Sequence, residues 1–162
     1  MPSHAQGRAE RVRSDTAGNR RGFLVGSLAV ILAPGFQAQA ASTVVGPIRS
    51  VQDYAEAIAF VRRRNRHALV DVAAEWCAFC KTIDEQILVH PRVQAQMKDF
   101  ALLKIDVTSW TRDNIELLAF LDVQGPPTVF VAETERGREI PGTRTVGDFD
   151  VGNLVGRLKS VG

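Results

Sequence analysis

Apolar residues recur along the chain at two spacings, one typical of helices and the other of strands. The predicted elements, in chain order, are a strand at 44–48, a helix from Ser50 to about 61, a strand at 67–73, a helix at 77–88 with a further segment from Pro91, a strand at 100–107, a helix near 111–121, strands at 128–132 and 143–146, and a last helix from 147 or 148. Helices between successive strands favour crossover connections. The pattern therefore predicts an α/β fold, with a central sheet and helices on both of its faces.

The predicted strand at 67–73 contains a carboxylate, Asp71, within its apolar run. A strand this apolar is typical of the centre of a sheet, where both faces are covered. A buried carboxylate costs free energy unless its charge is used or quenched. We expect Asp71 to lie below the two cysteines, facing Cys80, with a raised pKa that suits a proton acceptor. The alternative is that Asp71 lies at a frayed or edge position and is solvated.

Both cysteines of the chain, Cys77 and Cys80, follow this strand at the predicted start of a helix. Backbone N–H groups at a helix start favour negative charge, so they stabilise a thiolate on Cys77. Cys80 follows about one helical turn later, within bonding reach. The arrangement predicts that Cys77 attacks a disulfide and that Cys80 then resolves the mixed disulfide.

Three other interpretations of the cysteine pair stay open. A structural bridge across so short a loop would contribute only about 2 kcal/mol to the free energy of unfolding. For a copper or zinc carrier, two thiolates alone give too few ligands for a closed zinc site, and neither His67 nor His90 is placed as an obvious third ligand. A redox-silent adaptor would have no use for the pair or for Asp71. We therefore predict a working dithiol and no metal site.

The charge of the chain is uneven and changes the picture mainly at the N-terminus. The formal net charge is +2, but residues 1–40 contain five Arg and two acidic residues. The remaining residues are nearly balanced, so no nucleic-acid footprint remains once this leader is set aside. The hydrophobic content of 45% is typical of a globular domain with a packed core.

Residues 1–40 have the order of a secretory signal, with basic residues, an apolar run at 23–36 and small residues at Ala38–Ala40. The run is shorter than the roughly 20 residues that span a membrane, so we expect cleavage after Ala40, with a retained anchor as the alternative. Asn19–Leu24 resembles a twin-arginine signal, and a general secretory signal with a chance Arg pair stays open. Either route would export a domain at 41–162 to the periplasm.

Several stretches of the chain resemble the thioredoxin family. Ala68–Asp71 with Ala74–Lys81 looks like its active-site signature, and Gly125–Thr128 is similar to its cis-proline loop. Further stretches resemble the C-terminal periplasmic domain of the DsbD family of thiol:disulfide interchange proteins, namely Cys80–Asp84, His90–Gln94, Leu103–Thr108 and Leu117–Gly125. The resemblance covers roughly residues 50–158. It implies a thioredoxin-like fold with a central mixed β-sheet.

The resemblance also implies roles for four catalytic candidates. Cys77 matches the nucleophile, Cys80 the resolving thiol and Asp71 the buried acid. Asp84 matches an acidic residue that the DsbD domain places near its cysteines. The alternative for Asp84 is an exposed helix carboxylate with no part in the chemistry.

Four further residues are implied to contact the substrate. Trp76 would shield the disulfide from one side, unless it is an ordinary core residue. Pro127 matches the cis-proline, and cis bonds are essentially confined to the position before proline. Pro126 lacks the N–H that the family usually offers to a bound substrate. We therefore expect partner docking to depend more on side chains such as Phe79.

The residues between the cysteines, Ala78 and Phe79, supply no cation to stabilise a thiolate, and two nearby carboxylates would disfavour it. These features favour a reducing or interchange role, with oxidase or isomerase activity as the alternative. We expect no cofactor besides the Cys77–Cys80 disulfide. The implied substrates are oxidised periplasmic thiol proteins, and the implied electron donor is a separate DsbD- or CcdA-like membrane protein. We expect a monomer.

Overall fold

A computed structural model describes residues 42–162, and in this range six strands form one sheet. The strands are β1 Val44–Ile48, β2 His67–Ala73, β3 Phe100–Asp106, β4 Thr128–Glu133, β5 Arg138–Glu139 and β6 Thr145–Val146. Their order is β1-β3-β2-β4-β5, and β6 also pairs with β4. The sheet is mixed, because β2 runs parallel to β3 and antiparallel to β4. The predicted leader at 1–40 lies outside the described residues.

Helices cover both faces of the sheet, as the sequence pattern predicted. They are α1 Val51–Val61, α2 Ala78–Thr82, α3 Pro91–Gln96, α4 Arg112–Phe120 and α5 Val151–Lys159. Apolar residues of α1 and α4 pack in one core cluster, and those of α3 and α5 pack in a second one. Burying one such side chain contributes about 1.5–3 kcal/mol to the free energy of unfolding. The strands between the two clusters are apolar because their side chains are buried on both faces.

Alternation along β2 divides its side chains between the two layers. Val70 and Val72 belong to the cluster of α1 and α4, whereas Leu69 belongs to the cluster of α3 and α5. Successive strand side chains point to opposite faces, so Asp71 points to the same face as Leu69. In the parallel register Asp71 lies opposite Lys104 of β3. The two charged side chains therefore face the same layer.

The helix after the cysteines is not uniform, although the sequence predicted one regular helix over 77–88. α2 continues directly into a π-helical segment, Ile83–Ile87. The N–H of Leu88 donates to the carbonyl of Ile83 at 2.8 Å, a spacing of five residues rather than four. Such a segment holds one residue more per turn and is frequent at functional sites.

Helix starts follow side-chain capping, and one of them was predicted wrongly. Ser50 caps α1, and Thr111 caps α4. The last helix begins after Asp150 instead of at 147 or 148, because the Asp150 carboxylate accepts the N–H of Asn153 at 2.8 Å. The predicted final strand at 143–146 is also shorter than expected, and the short strand β5 lies where no strand was predicted.

Candidate functional site

Cys77 and Cys80 are joined by a disulfide at the carboxyl end of β2, with their Cα atoms 5.3 Å apart. Cys77 is the N-cap of α2, and its Sγ accepts the backbone N–H of Cys80 at 3.2 Å. In the reduced protein this N–H would stabilise a thiolate on Cys77. Cys77 is 6% exposed and Cys80 only 3%, so Cys77 is the more accessible sulfur-bearing residue.

Asp71 is buried in the centre of the sheet, with 1% of its surface exposed. The alternative of a solvated position at a frayed or edge strand is therefore wrong. Its Oδ2 accepts a hydrogen bond from Nζ of Lys104 at 2.5 Å. Its Oδ1 has no hydrogen-bond partner among the described residues. The loss of hydration on burial is therefore offset by a hydrogen bond at Oδ2 but not at Oδ1.

Burial raises the pKa of Asp71, because desolvation disfavours the charged carboxylate. Lys104 acts in the opposite direction, and Asp84 adds to the increase. Burial alone would lower the pKa of Lys104, but Asp71 and Asp84 outweigh it, so the pKa of Lys104 is raised. The ammonium group stays charged between the two carboxylates.

Asp84 joins this group from the π-helical segment, where it forms an ion pair with Lys104. Its side chain is partly exposed. Cys80, Asp84 and Lys104 also line the same groove of about 530 Å³. The structure therefore brings a carboxylate, an ammonium and the second cysteine to one cavity, and a further carboxylate contacts the ammonium from the core.

Lys104 is the residue of this group that the sequence analysis missed. The expectation that no cation stabilises the cysteine pair considered only Ala78 and Phe79, the residues between the two cysteines. Lys104 comes from the neighbouring strand, opposite Asp71 in the β2–β3 register. The available signal was the charge of Lys104 inside the apolar stretch at 100–107. Its meaning depends on knowing that the two strands pair, which the sequence alone does not show.

Three of the predicted substrate contacts lie at the same end of the sheet as the disulfide. Trp76 is 60% exposed and Phe79 is 55% exposed, so neither is a core residue. The indole N–H of Trp76 donates to the carbonyl of Thr108 at 3.1 Å. The antiparallel register sets Thr128 opposite Val72, which places Pro127 beside the end of β2.

The loop before β4 contains the two predicted proline contacts. The peptide bond between Pro126 and Pro127 is cis. Pro127 is buried and Pro126 is partly exposed. The hydroxyl of Thr128 donates to the carbonyl of Gly125 at 2.6 Å, which closes this loop on itself. The substrate roles of both prolines stay predictions.

Trp110 is a second residue that sequence reasoning missed. Its ring lies 6.2 Å from that of Trp76 in an edge-to-face arrangement. It follows β3, the strand next to β2, and the carboxyl ends of parallel neighbours meet at one edge. That adjacency was the signal that could have drawn attention to it.

The described part of the chain also bears on the metal-carrier and membrane-anchor alternatives. Among residues 42–162, no group of three or more His, Cys, Asp or Glu side chains is arranged to hold a metal ion. In the same range, no helix has the length and apolar character needed to cross a membrane.

Comparison with known proteins gives a consistent set of similarities. A family model described as thioredoxin-like matches residues 49–133. Thiol:disulfide interchange protein DsbD 1 of Pseudomonas aeruginosa is 33% identical over 103 residues, which is 64% of this chain and 17% of that protein. DsbD of Salmonella typhimurium is 31% identical over 111 residues, covering 68% of this chain and 19% of that protein. The chain thus spans less than a fifth of either relative.

Solved structures show the same fold. The oxidised C-terminal domain of DsbD from Neisseria meningitidis matches with a TM-score of 0.57 and 23% identity, over 70% of this chain and 98% of that one. A thioredoxin from Thermus thermophilus matches with a TM-score of 0.57 and 20% identity, over 75% of this chain and 87% of that one. The predicted thioredoxin-like fold and the resemblance to DsbD are confirmed.

Proposed function

Because the chain belongs to the thioredoxin-like family and is a thiol:disulfide oxidoreductase with a Cys77–Cys80 pair, we propose that it reduces disulfides of exported proteins in the periplasm. The observation that carries the reducing direction is the charge around the pair. Two carboxylates, Asp71 and Asp84, share the ammonium of Lys104. The groove that Cys80 lines also holds Lys81, but two further carboxylates, Glu75 and Asp106, lie there as well. An excess of negative charge disfavours a thiolate, and a less stabilised dithiol is a better reductant.

In the proposed reaction, the Cys77 thiolate attacks one sulfur of a partner disulfide. A mixed disulfide forms between Cys77 and the partner, and the other partner sulfur leaves as a thiolate that takes up a proton. The Cys80 thiolate then attacks Sγ of Cys77, which forms the Cys77–Cys80 disulfide and releases the second partner thiol. Two electrons pass from the dithiol to the partner, and no further cofactor takes part.

Cys80 must lose its proton before it can attack Cys77. A carboxylate with a raised pKa is a better proton acceptor at neutral pH than an ordinary one, and the pKa of Asp71 is raised. Lys104 fixes the position of that carboxylate, and the groove lined by Cys80, Asp84 and Lys104 offers a route for the proton. We assign Asp71 as acceptor, with Lys104 and Asp84 as its positioning residues.

The oxidised protein must be reduced again after each cycle. We propose that a separate DsbD- or CcdA-like membrane protein supplies the two electrons by the same exchange reaction, in reverse. The 31–33% identity to proteins named thiol:disulfide interchange protein DsbD supports this partner, because exchange between two such dithiols would transfer the electrons. We further propose that the oxidoreductase acts as a monomer.

The reduction potential of the Cys77–Cys80 pair tests the proposed direction. We expect a value near that of thioredoxin, about −270 mV, after equilibration with a dithiothreitol couple. A value near about −120 mV would instead assign an oxidant and overturn the proposal.

Trapping of mixed disulfides tests the order of the two cysteines. The variant Cys80→Ala keeps the attacking sulfur and lacks the resolving one, so we expect it to accumulate disulfide-linked periplasmic partners. Cys77→Ala is the matched control, and it should accumulate few. Equal trapping by both variants would contradict the assignment of Cys77 as nucleophile.

Export is tested on the mature protein. We propose that the leader at 1–40 directs export and is removed, so the periplasmic protein should begin at Ala41. Mass spectrometry of the protein from a periplasmic extract measures this start. Replacing Arg20 and Arg21 with Lys distinguishes the routes, because a twin-arginine signal requires the pair and a general secretory signal tolerates the change. Retention of the whole chain in the cytoplasm with the intact leader would contradict export.

A further inference from the structure

Trp110 lies beside the disulfide loop in a backbone conformation that is rare for a bulky residue. Its φ is +48°, in the left-handed region. Its side chain is nevertheless 46% exposed, so burial does not explain the conformation. Backbone outliers persist only where the surroundings fix them, and they cluster at functional sites.

The loop that carries Trp110 is tied to the disulfide loop. The hydroxyl of Thr108 accepts the backbone N–H of Glu75 at 3.0 Å, and its carbonyl accepts the indole N–H of Trp76 at 3.1 Å. The N–H of Trp110 donates to the carbonyl of Val107 at 3.2 Å. These contacts fix the position of the loop after β3 relative to the loop before Cys77.

The Trp110 ring extends from the disulfide loop to the proline loop. On one side it contacts Trp76 edge to face, with the ring centroids 6.2 Å apart. On the other side, a Cβ added at Gly125 would lie 3.8 Å from the ring. Gly125 immediately precedes Pro126 and Pro127. The indole thus connects both loops that the thioredoxin-like chemistry uses.

We propose that Trp110 is a specificity-determining residue for the proposed reduction. With Trp76 and Phe79 it forms an exposed aromatic surface around the disulfide. This surface selects a partner polypeptide that carries an apolar side chain next to its disulfide cysteine. The proposal rests on the proposed function, because the partner is its disulfide substrate.

Two observations favour an apolar polypeptide as the occupant. The three rings are about half exposed and present apolar area that a partner can remove from water. Pro126 has no backbone N–H to offer to the partner, so side-chain contacts carry more of the recognition. A small disulfide without a polypeptide would reach Cys77 without using this surface.

The test compares two disulfide probes with the reduced wild-type protein and with Trp110→Ala. One probe is a peptide disulfide with Leu beside each cysteine, and the other is hydroxyethyl disulfide. We expect Trp110→Ala to lower kcat/KM for the peptide about five- to tenfold, mainly through KM, as loss of an aromatic anchor does. The rate with hydroxyethyl disulfide and the equilibrium with dithiothreitol should stay within about twofold of wild type.

Two further variants keep the outcome interpretable. Trp110→Phe should recover most of the peptide rate, because it restores an aromatic ring without the indole. Phe60→Ala removes an exposed aromatic side chain of α1, outside the site, and should change neither rate.

Equal losses of Trp110→Ala with both probes, or no loss with the peptide, would overturn the specificity role. Reduction of neither probe by the wild type would instead reject the proposed function itself.

Discussion

At the scale of single residues, the charge of Asp71 has the clearest energetic consequence. Its pKa is raised in the folded protein, so the folded state binds its proton more tightly than the unfolded state. Stability is therefore lost as pH rises from the ordinary value of 3.8 through the folded pKa.

We expect Asp71→Asn to raise the free energy of unfolding at neutral pH. The neutral amide keeps an acceptor for Lys104 and removes the buried negative charge. The gain over wild type should disappear as pH falls below 3.8, which urea unfolding across the acidic range would measure. The exposed Asp148→Asn is the matched control, and an equal gain there would contradict the burial argument.

Loss of Lys104 should have the opposite effect. Lys104→Met leaves Asp71 and Asp84 without their shared cation, so the pKa of Asp71 should rise further. We expect a loss of about 1–3 kcal/mol at neutral pH, moderated because the ammonium is partly exposed. The loss should shrink as acid protonates Asp71, and unfolding curves at several pH values measure it.

Two variants test the origin of that loss. The double variant with Asp71→Asn should recover part of it, since the two side chains are coupled. The exposed Lys98→Met should lose little. A loss for Lys104→Met that is independent of pH would contradict the electrostatic explanation.

The sequence predicts those site residues whose type and spacing are typical of dithiol chemistry. Cys77, Cys80 and a buried Asp71 follow from a dithiol at a strand end and a carboxylate in an apolar run. Lys104 and Trp110 could not be found in the same way, because each is brought to the site by a different strand connection. Their contacts depend on strand register, which a single segment does not reveal.

At the scale of elements, side-chain capping decides where helices begin. Thr111 accepts the N–H of Asn114, and the Asn114 side chain in turn accepts the N–H of Thr111, both at 3.2 Å. Ser109 is the other hydroxyl residue that the sequence offers for this position. Residue type alone does not distinguish Ser109 from Thr111 as the cap. It also did not identify Asp150 as the cap of α5.

We expect Thr111→Ala to lower the free energy of unfolding by about 1 kcal/mol, because an N–H at the start of α4 loses its acceptor. Ser109→Ala, two residues earlier, should change it by less than about 0.5 kcal/mol. Thermal or urea unfolding of the two variants measures the difference. Equal losses would show that the hydroxyl of Thr111 does not act as a cap.

At the scale of the whole molecule, the disulfide contributes little to the fold that carries it. The two cysteines are only three positions apart, whereas two apolar layers hold the sheet and helices together. The alternation of apolar residues was sufficient to predict these layers. The short strands β5 and β6 were harder to predict, because two residues carry no periodicity.

We expect the reduced protein to stay folded, with a free energy of unfolding about 2 kcal/mol below that of the oxidised protein. So small a closed loop restricts the unfolded chain only slightly. Urea unfolding with and without dithiothreitol measures the difference. The double variant Cys77→Ala, Cys80→Ala should match the reduced protein, and a loss of cooperative unfolding on reduction would contradict this account.

The π-helical segment Ile83–Ile87 has a consequence for the phase of the helix that contains Cys80 and Asp84. Each residue advances a helix by about 100°. One additional residue in this segment therefore rotates the side chains on its N-terminal side by that angle relative to those on its C-terminal side. Deleting the exposed Glu85 would restore regular spacing and turn either the cysteine end or the core-packed Ile87 out of place. The direction in which Cys80 points relative to the helix end that packs in the core therefore depends on a single inserted residue.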